Sequence, residues 1–180
     1  MISNLRCFTW KYNGIARVLR NDIFVSEAYD PQSGLPSPQT SSYKGIWDTG
    51  ATGTAITQKI VTELKLSPTG KTSVSTAKGL ATNVDTFLVN IGLPNNFWVI
   101  GITATLADLS PDTDLLIGMD IISLGDFAIT NNNGKTRMTF RIPSLRNIDF
   151  VEEWNQHHPP PKQVGWDKKA IAEARKSGKK

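Results

Sequence analysis

The stretch Tyr43-Lys44-Gly45-Ile46-Trp47-Asp48-Thr49-Gly50-Ala51-Thr52-Gly53-Thr54-Ala55-Ile56 decides how this 180-residue chain is read. An apolar strand over Tyr43–Trp47 delivers Asp48 to a tight turn. Gly50 admits dihedrals and a close backbone approach that a side chain would block. Thr49 can hydrogen-bond a neighbouring backbone group and hold that turn rigid. Because Ala51–Ile56 stays small and apolar, the acid is expected near the interior rather than in open water. Alone, Asp-Thr-Gly also describes an ordinary surface turn, so the reading depends on what surrounds it.

Upstream, Phe8–Tyr12, Ile15–Leu19 and Ile23–Ala28 have extended character, with Asn13-Gly14 as a turn between the first two. Residues 30–38 hold three prolines and a glycine, which forbid regular structure. Downstream, Ile56, Ile60, Val61 and Leu64 fall on one face of a short helix, with Thr54 as its N-cap and Pro68 and Gly70 as its stop. Strands are expected over Lys71–Thr76, Val84–Ile91 and Trp98–Leu106. Leu115-Leu116-Ile117 then runs into Gly118 and a turn of helix over Met119–Leu124. Phe127–Thr130 and Thr136–Ile142 flank Asn133-Gly134, a strong hairpin signal. After Pro143 the composition turns polar, with three consecutive prolines and an exposed helical pattern over Asp167–Lys176. The expected organisation is a mainly-β domain over 1–143 followed by an extension over 144–180.

Composition narrows the functional classes. No apolar run approaches the roughly 20 residues that span a bilayer, and the first residues lack a basic start followed by an apolar stretch. A lone Cys7 excludes an internal disulfide and a cysteine-cluster metal site; a small buried or edge residue is its expected role. The expectation is a cytoplasmic protein. Its net charge of +4 is unevenly spread, since residues 162–180 hold seven basic and two acidic side chains, whereas the other 161 residues hold 13 basic and 14 acidic. A nearly neutral body argues against nucleic acid as the main partner.

Other patterns offer no chemistry. Gly70-Lys71-Thr72 and Gly134-Lys135-Thr136 lack the glycine a phosphate loop needs five residues earlier, where Lys65 and Ile129 stand. His157-His158 would point in opposite directions on an extended chain. Asp112 and Asp114 read as a solvated loop without calcium-loop spacing. No metal and no cofactor is expected.

Two motifs in order, Ile46-Trp47-Asp48-Thr49-Gly50-Ala51 and then Leu115-Leu116-Ile117-Gly118-Met119-Asp120 before a short helix, resemble the retropepsin-like aspartic proteases, of cellular or bacterial type. The resemblance covers roughly residues 43–142. It implies a mainly-β, closed barrel-like acid-protease fold with a flap hairpin and one or two short helices, expected as a symmetric homodimer. By position, Asp48 would be the catalytic carboxylate. Thr49 would make hydrogen bonds between subunits, Gly50 would offer its carbonyl to substrate backbone, and Ala51 would line the pocket. Thr72–Thr86, turning at Ala77-Lys78-Gly79, would be the flap over an extended peptide, and Ile117-Gly118 the second structural motif. Better-known viral members carry acidic residues after the first motif and an arginine after the later glycine; here those places hold Thr52-Gly53 and Met119.

Asp-Thr-Gly occurs once and Asp-Ser-Gly nowhere, so a two-carboxylate site needs Asp48 from each of two chains. The expected function is therefore endopeptidase activity on peptide or protein substrates by a homodimer. A dimeric peptide-binding module of the same fold with little turnover is the alternative.

Overall fold

The fold was analysed in a computed structural model, which describes residues 5–76 and 79–158. The chain divides into two compact units, Met1–Leu145 and Arg146–Lys180.

In the first unit β1 (Arg6–Lys11), β2 (Arg20–Glu27), β3 (Thr40–Trp47) and β4 (Ala55–Ile56) precede α1 (Gln58–Glu63). Then come β5 (Gly70–Thr76), β6 (Gly79–Leu93), β7 (Phe97–Leu106), β8 (Leu115–Ile117), α2 (Met119–Ile122), β9 (Asp126–Thr130) and β10 (Arg137–Ile142). Strands β2-β3-β8-β4-β7-β6 are hydrogen-bonded in that order, and β6 pairs back onto β2, closing a six-stranded barrel. Closure removes the exposed edges that an open sheet must protect. Ile23, Val25, Ile56, Ile60, Val89, Ile91, Leu115, Ile117 and Ile121 are fully buried in its core, consistent with strands that alternate apolar and polar residues.

Strand β8 occupies a special place. It lies parallel to β3, with Trp47 opposite Ile117, and antiparallel to β4, with Ala55 opposite Leu116. Residues 48–54 leave β3 on one side of β8 and return as β4 on the other. The connection must therefore pass over the C-terminal end of β8, which is where Gly118 stands.

A second sheet, ordered β1-β10-β9, holds both ends of the unit together. Its aromatic residues join it to the barrel: Phe127 stacks on Trp47 (5.4 Å between ring centroids), Phe140 meets Trp47 edge-on at 5.3 Å, and Phe97 stacks on Phe140 at 6.1 Å. Such pairs add to the burial of large apolar rings.

Several local expectations change. Asn13-Gly14 closes no hairpin, because β1 pairs with β10 and residues 12–19 lead to β2 without forming a strand. Long-range pairing prevails: Tyr12 N–H donates to Thr136 O at 3.0 Å, and Thr136 N–H to Gly14 O at 3.0 Å. Thr57, not Thr54, precedes α1 as its N-cap residue. The Asn133-Gly134 hairpin does form between β9 and β10, with both residues at positive φ (53° and 69°). Asp114 is no solvated loop residue, since its carboxylate accepts the Lys44 N–H at 2.9 Å and pairs with Lys59 at 3.1 Å.

The second unit contains α3 (Phe150–His157). Asp149 caps it by accepting from the N–H groups of Val151 and Glu152. No helix is expected here from the sequence, although Phe150, Val151 and Trp154 recur at helical spacing; all three are exposed. His157 ends it and His158 stacks on Trp154 at 3.9 Å, so the histidine pair is not on an extended chain. The basic residues 162–180 lie outside the described residues. Among the described residues, no helix is long and apolar enough to cross a membrane.

Candidate active site

Asp48 sits at the mouth of the crossing loop, half-buried. Its N–H donates to Ile117 O at 2.9 Å, which extends the β3–β8 pairing by one bond. Its carboxylate Oδ1 accepts the Gly50 N–H at 2.8 Å, and its carbonyl accepts the Ala51 N–H at 3.2 Å. The acid is thus fixed by the turn it belongs to, and Oδ2 is given no hydrogen-bond partner by the described residues. Thr49 and Gly50 are exposed, and the Thr49 hydroxyl has no partner within the described residues. Half-buried Ala51 lends its carbonyl to the Met119 N–H at 2.8 Å.

Gly118 is required sterically. A Cβ there would lie 2.5 Å from the carbonyl carbon and oxygen of Gly53, closer than van der Waals contact allows. Ile117 is fully buried just before it. These two residues form the floor over which the Asp48 loop passes.

The residue that sequence reasoning passed over is Asp120. Its Oδ2 accepts the Thr54 N–H and its Oδ1 the Thr54 hydroxyl, both at 2.9 Å, while its own N–H donates to Thr52 O at 3.2 Å. Thr54 is fully buried, and its hydroxyl also accepts from Gly118 N–H at 3.5 Å. Thr52, Gly53 and Met119 supply no charged pair between the two motifs. A carboxylate–hydroxyl bridge ties them instead. The signal was present: an acidic residue two past the later glycine, and a hydroxyl residue, Thr54, directly before the apolar pair Ala55-Ile56.

The flap expectation corresponds to the β5–β6 hairpin, whose register runs from Gly70 opposite Thr86 to Thr76 opposite Gly79, with an irregularity between Thr72 and Val74. Gly79 has φ +118° and the neighbouring Leu80 is 70% exposed. Ala77 and Lys78 lie outside the described residues. Lys71 and Asp85 face each other across the hairpin at 3.5 Å.

Charges elsewhere serve structure. Hydrogen bonds from the Leu145 N–H and the Ser144 hydroxyl, with the Arg141 guanidinium alongside, hold the Asp126 carboxyl down at about 2. Burial pushes the Tyr43 phenol up to about 12, and the neighbouring Glu63 and Asp114 carboxylates add to the effect. A cleft of about 300 Å³ lined by Trp10, Arg20, Asn21, Asp22, Lys44 and Asp112 contains none of the expected site residues. Its charges pair internally, Arg20 with Asp112 and Lys44 with Asp22. Among the described residues, no group of three or more His, Cys, Asp or Glu side chains could hold a metal ion.

Residues 39–123 match the family model described as "gag-polyprotein putative aspartyl protease". The chain is also similar to the crystal structure of a retropepsin-like aspartic protease from Rickettsia conorii, at 16% identity and a TM-score of 0.48, over 77% of this chain and 95% of that one. No curated protein matches it. The matched segment spans both motifs, from β3 through the Asp48 turn to the Gly118 crossing and α2, and over it the chain is similar to the aspartyl proteases that the family model describes.

Proposed function

We propose that this protein is an aspartic endopeptidase that hydrolyses peptide bonds in extended substrates, with Asp48 of two chains forming one catalytic pair. The observation that carries this reading is the presentation of Asp48: half-buried at the end of a barrel strand, one carboxylate oxygen engaged by its own turn, and exposed Thr49 and Gly50 beside it.

The chemistry needs no covalent intermediate. One ionised carboxylate takes a proton from a water molecule, and its protonated counterpart donates a hydrogen bond to the scissile carbonyl. Two carboxyls about 3 Å apart cannot both ionise, so the pair holds one proton between them. The Thr49 hydroxyl, without a partner among the described residues, would bond across the two-fold axis. The Gly50 carbonyl would accept from substrate backbone, Ala51 would line the pocket, and the β5–β6 hairpin would cover the bound peptide, with Ala77, Lys78 and Gly79 at its turn. No metal or cofactor has a part in this scheme.

One observation favours a second reading, a peptide-binding module with little turnover: Thr52, Gly53 and Met119 replace the charged pair expected from viral members. A single experiment separates the two. Wild-type protein and Asp48→Asn are incubated with a peptide library between pH 3 and 7, with and without a statine-type inhibitor. The peptidase reading expects cleavage by wild type alone, blocked by the inhibitor, with Asp48→Asn still dimeric. Cleavage retained by Asp48→Asn contradicts it, and peptide capture without cleavage by wild type supports the binding module.

A further inference from the structure

We infer that the C-terminal unit, Arg146–Lys180, docks on an anionic membrane surface: the exposed stripe of α3 enters the lipid and the basic residues that follow it hold to the headgroups. The inference goes beyond the Asp48 chemistry and does not depend on it.

Helix α3 is supported at its start rather than by burial. Asp149 caps it through the N–H groups of Val151 and Glu152, and Glu152 and Glu153 stand in its first turn, where negative charge suits the helix dipole. None of its residues is buried. Phe150, Val151 and Trp154 are 71%, 68% and 62% exposed, the last even with the His158 ring stacked on it. At about 100° per residue these three share one arc of about 100°. Glu152, Glu153 and Gln156 take the opposite side. A single exposed apolar residue is ordinary on a protein surface, whereas two aromatic rings and a valine on one arc form a patch that calls for a ligand.

The charge that follows the helix points to the kind of ligand. Residues 162–180 carry seven basic and two acidic side chains, a net of +5, and they begin shortly after α3 ends at His157. A groove on another protein would accept the apolar arc but has no call for the cationic run. A nucleic acid would accept the cationic run, but Glu152 and Glu153 beside the arc would repel its phosphates. An anionic bilayer takes both features, since its apolar interior lies just beneath a negatively charged layer. Tryptophan and other large apolar side chains are at home at that boundary. The two glutamates lie on the far side of α3, so they stay in water when the arc enters the lipid. A short apolar stripe or a basic run alone binds weakly and reversibly, and the two together supply the paired signals that stable anchoring needs.

The test uses the full chain and vesicles of phosphatidylcholine, alone or mixed with phosphatidylserine, collected by centrifugation. Wild type should sediment with the mixed vesicles only, and less so as salt rises, because screening weakens the headgroup contacts. Phe150→Ser/Trp154→Ser removes the stripe, and Lys168→Glu/Lys169→Glu reverses two charges of the basic run. Each pair should lower the partition onto mixed vesicles by about tenfold or more. Phe150 and Trp154 are exposed, so the first variant should keep the wild-type denaturation midpoint, and its lost binding then reports the stripe itself. Wild type that stays in the supernatant with mixed vesicles overturns the inference. Vesicle binding that survives loss of the stripe also overturns it, because the basic run would then act alone. Binding to polyuridylate instead of vesicles, retained by Phe150→Ser/Trp154→Ser, overturns it in favour of nucleic acid.

Discussion

The crossing loop that carries Asp48 and the β5–β6 hairpin both connect β strands, yet they are held in different ways. Residues 48–54 are bound on every side: to Ile117 through the Asp48 N–H, to Met119 and Asp120 through the carbonyls of Ala51 and Thr52, and to the Asp120 carboxylate through Thr54. In the β5–β6 hairpin, residues 70–75 and 79–83 are exposed or half-buried and rich in serine and threonine. Such a segment opens at low free-energy cost, because few buried contacts must be broken. Under the proposed function, an acid that meets a counterpart within a fraction of an ångström would need the first kind of support, and an element that admits a long peptide would need the second. The division of labour is written in burial and hydrogen bonds rather than in strand length.

Adding one methyl group to each region tests this contrast. Gly118→Ala drives a Cβ into the backbone of Gly53 and should cost about 3 kcal/mol or more. Gly79→Ala meets no atom within 4 Å, so only its φ of +118° is penalised, at about 1 kcal/mol. Chemical denaturation of both variants checks the ordering; equal losses would show that the loop is no better supported than the hairpin.

Removing the Asp120 bridge is the next largest perturbation. Asp120→Ala leaves the buried Thr54 hydroxyl and N–H without their acceptor and should destabilise the fold by about 2 kcal/mol, as expected for hydrogen bonds to a charged group. Thr54→Val removes the other partner. If the two act through the bridge, the double variant should lose clearly less than the sum of the single ones. Strict additivity would contradict the bridge.

The smallest effect concerns acid. Asp126 takes up its proton near pH 2 in the folded chain and near 4 when unfolded. Between those values the unfolded state binds more protons, so the stability this group contributes is present above pH 4 and is lost as the pH falls through about 2. Asp126→Asn should therefore flatten the acid limb of the stability curve in that window, as read from denaturant midpoints at successive pH values. An unchanged slope would mean that the bonds to Leu145, Ser144 and Arg141 do not hold in solution.

Much of the barrel was legible because its signals are local. The Asp48 turn, the Leu115-Leu116-Ile117-Gly118 run and the Asn133-Gly134 hairpin each lie where their residue types demand. What escaped depends on distant partners. Asn13-Gly14 has good turn chemistry, but β1 finds β10 more than 120 residues away and the expected hairpin never closes. Thr54 looks like a helix cap, yet its hydroxyl is taken by Asp120, 66 residues later. Asp114 lies in a stretch that reads as solvated, and only the fold brings the Lys44 N–H and Lys59 to it. Helix α3 carries Phe150, Val151 and Trp154 at helical spacing behind the Asp149 cap, a local signal that the polar, proline-containing surroundings obscured.

The central claim is that two copies of Asp48 face each other. A crystal structure of the full chain, with or without a statine-type inhibitor, measures this directly through the separation of their carboxyl groups. The account predicts about 3 Å across a two-fold axis, with the Thr49 hydroxyls bonded between chains. An Asp48 carboxyl that opens onto bulk solvent in every crystal form, with no second Asp48 within reach, would contradict it.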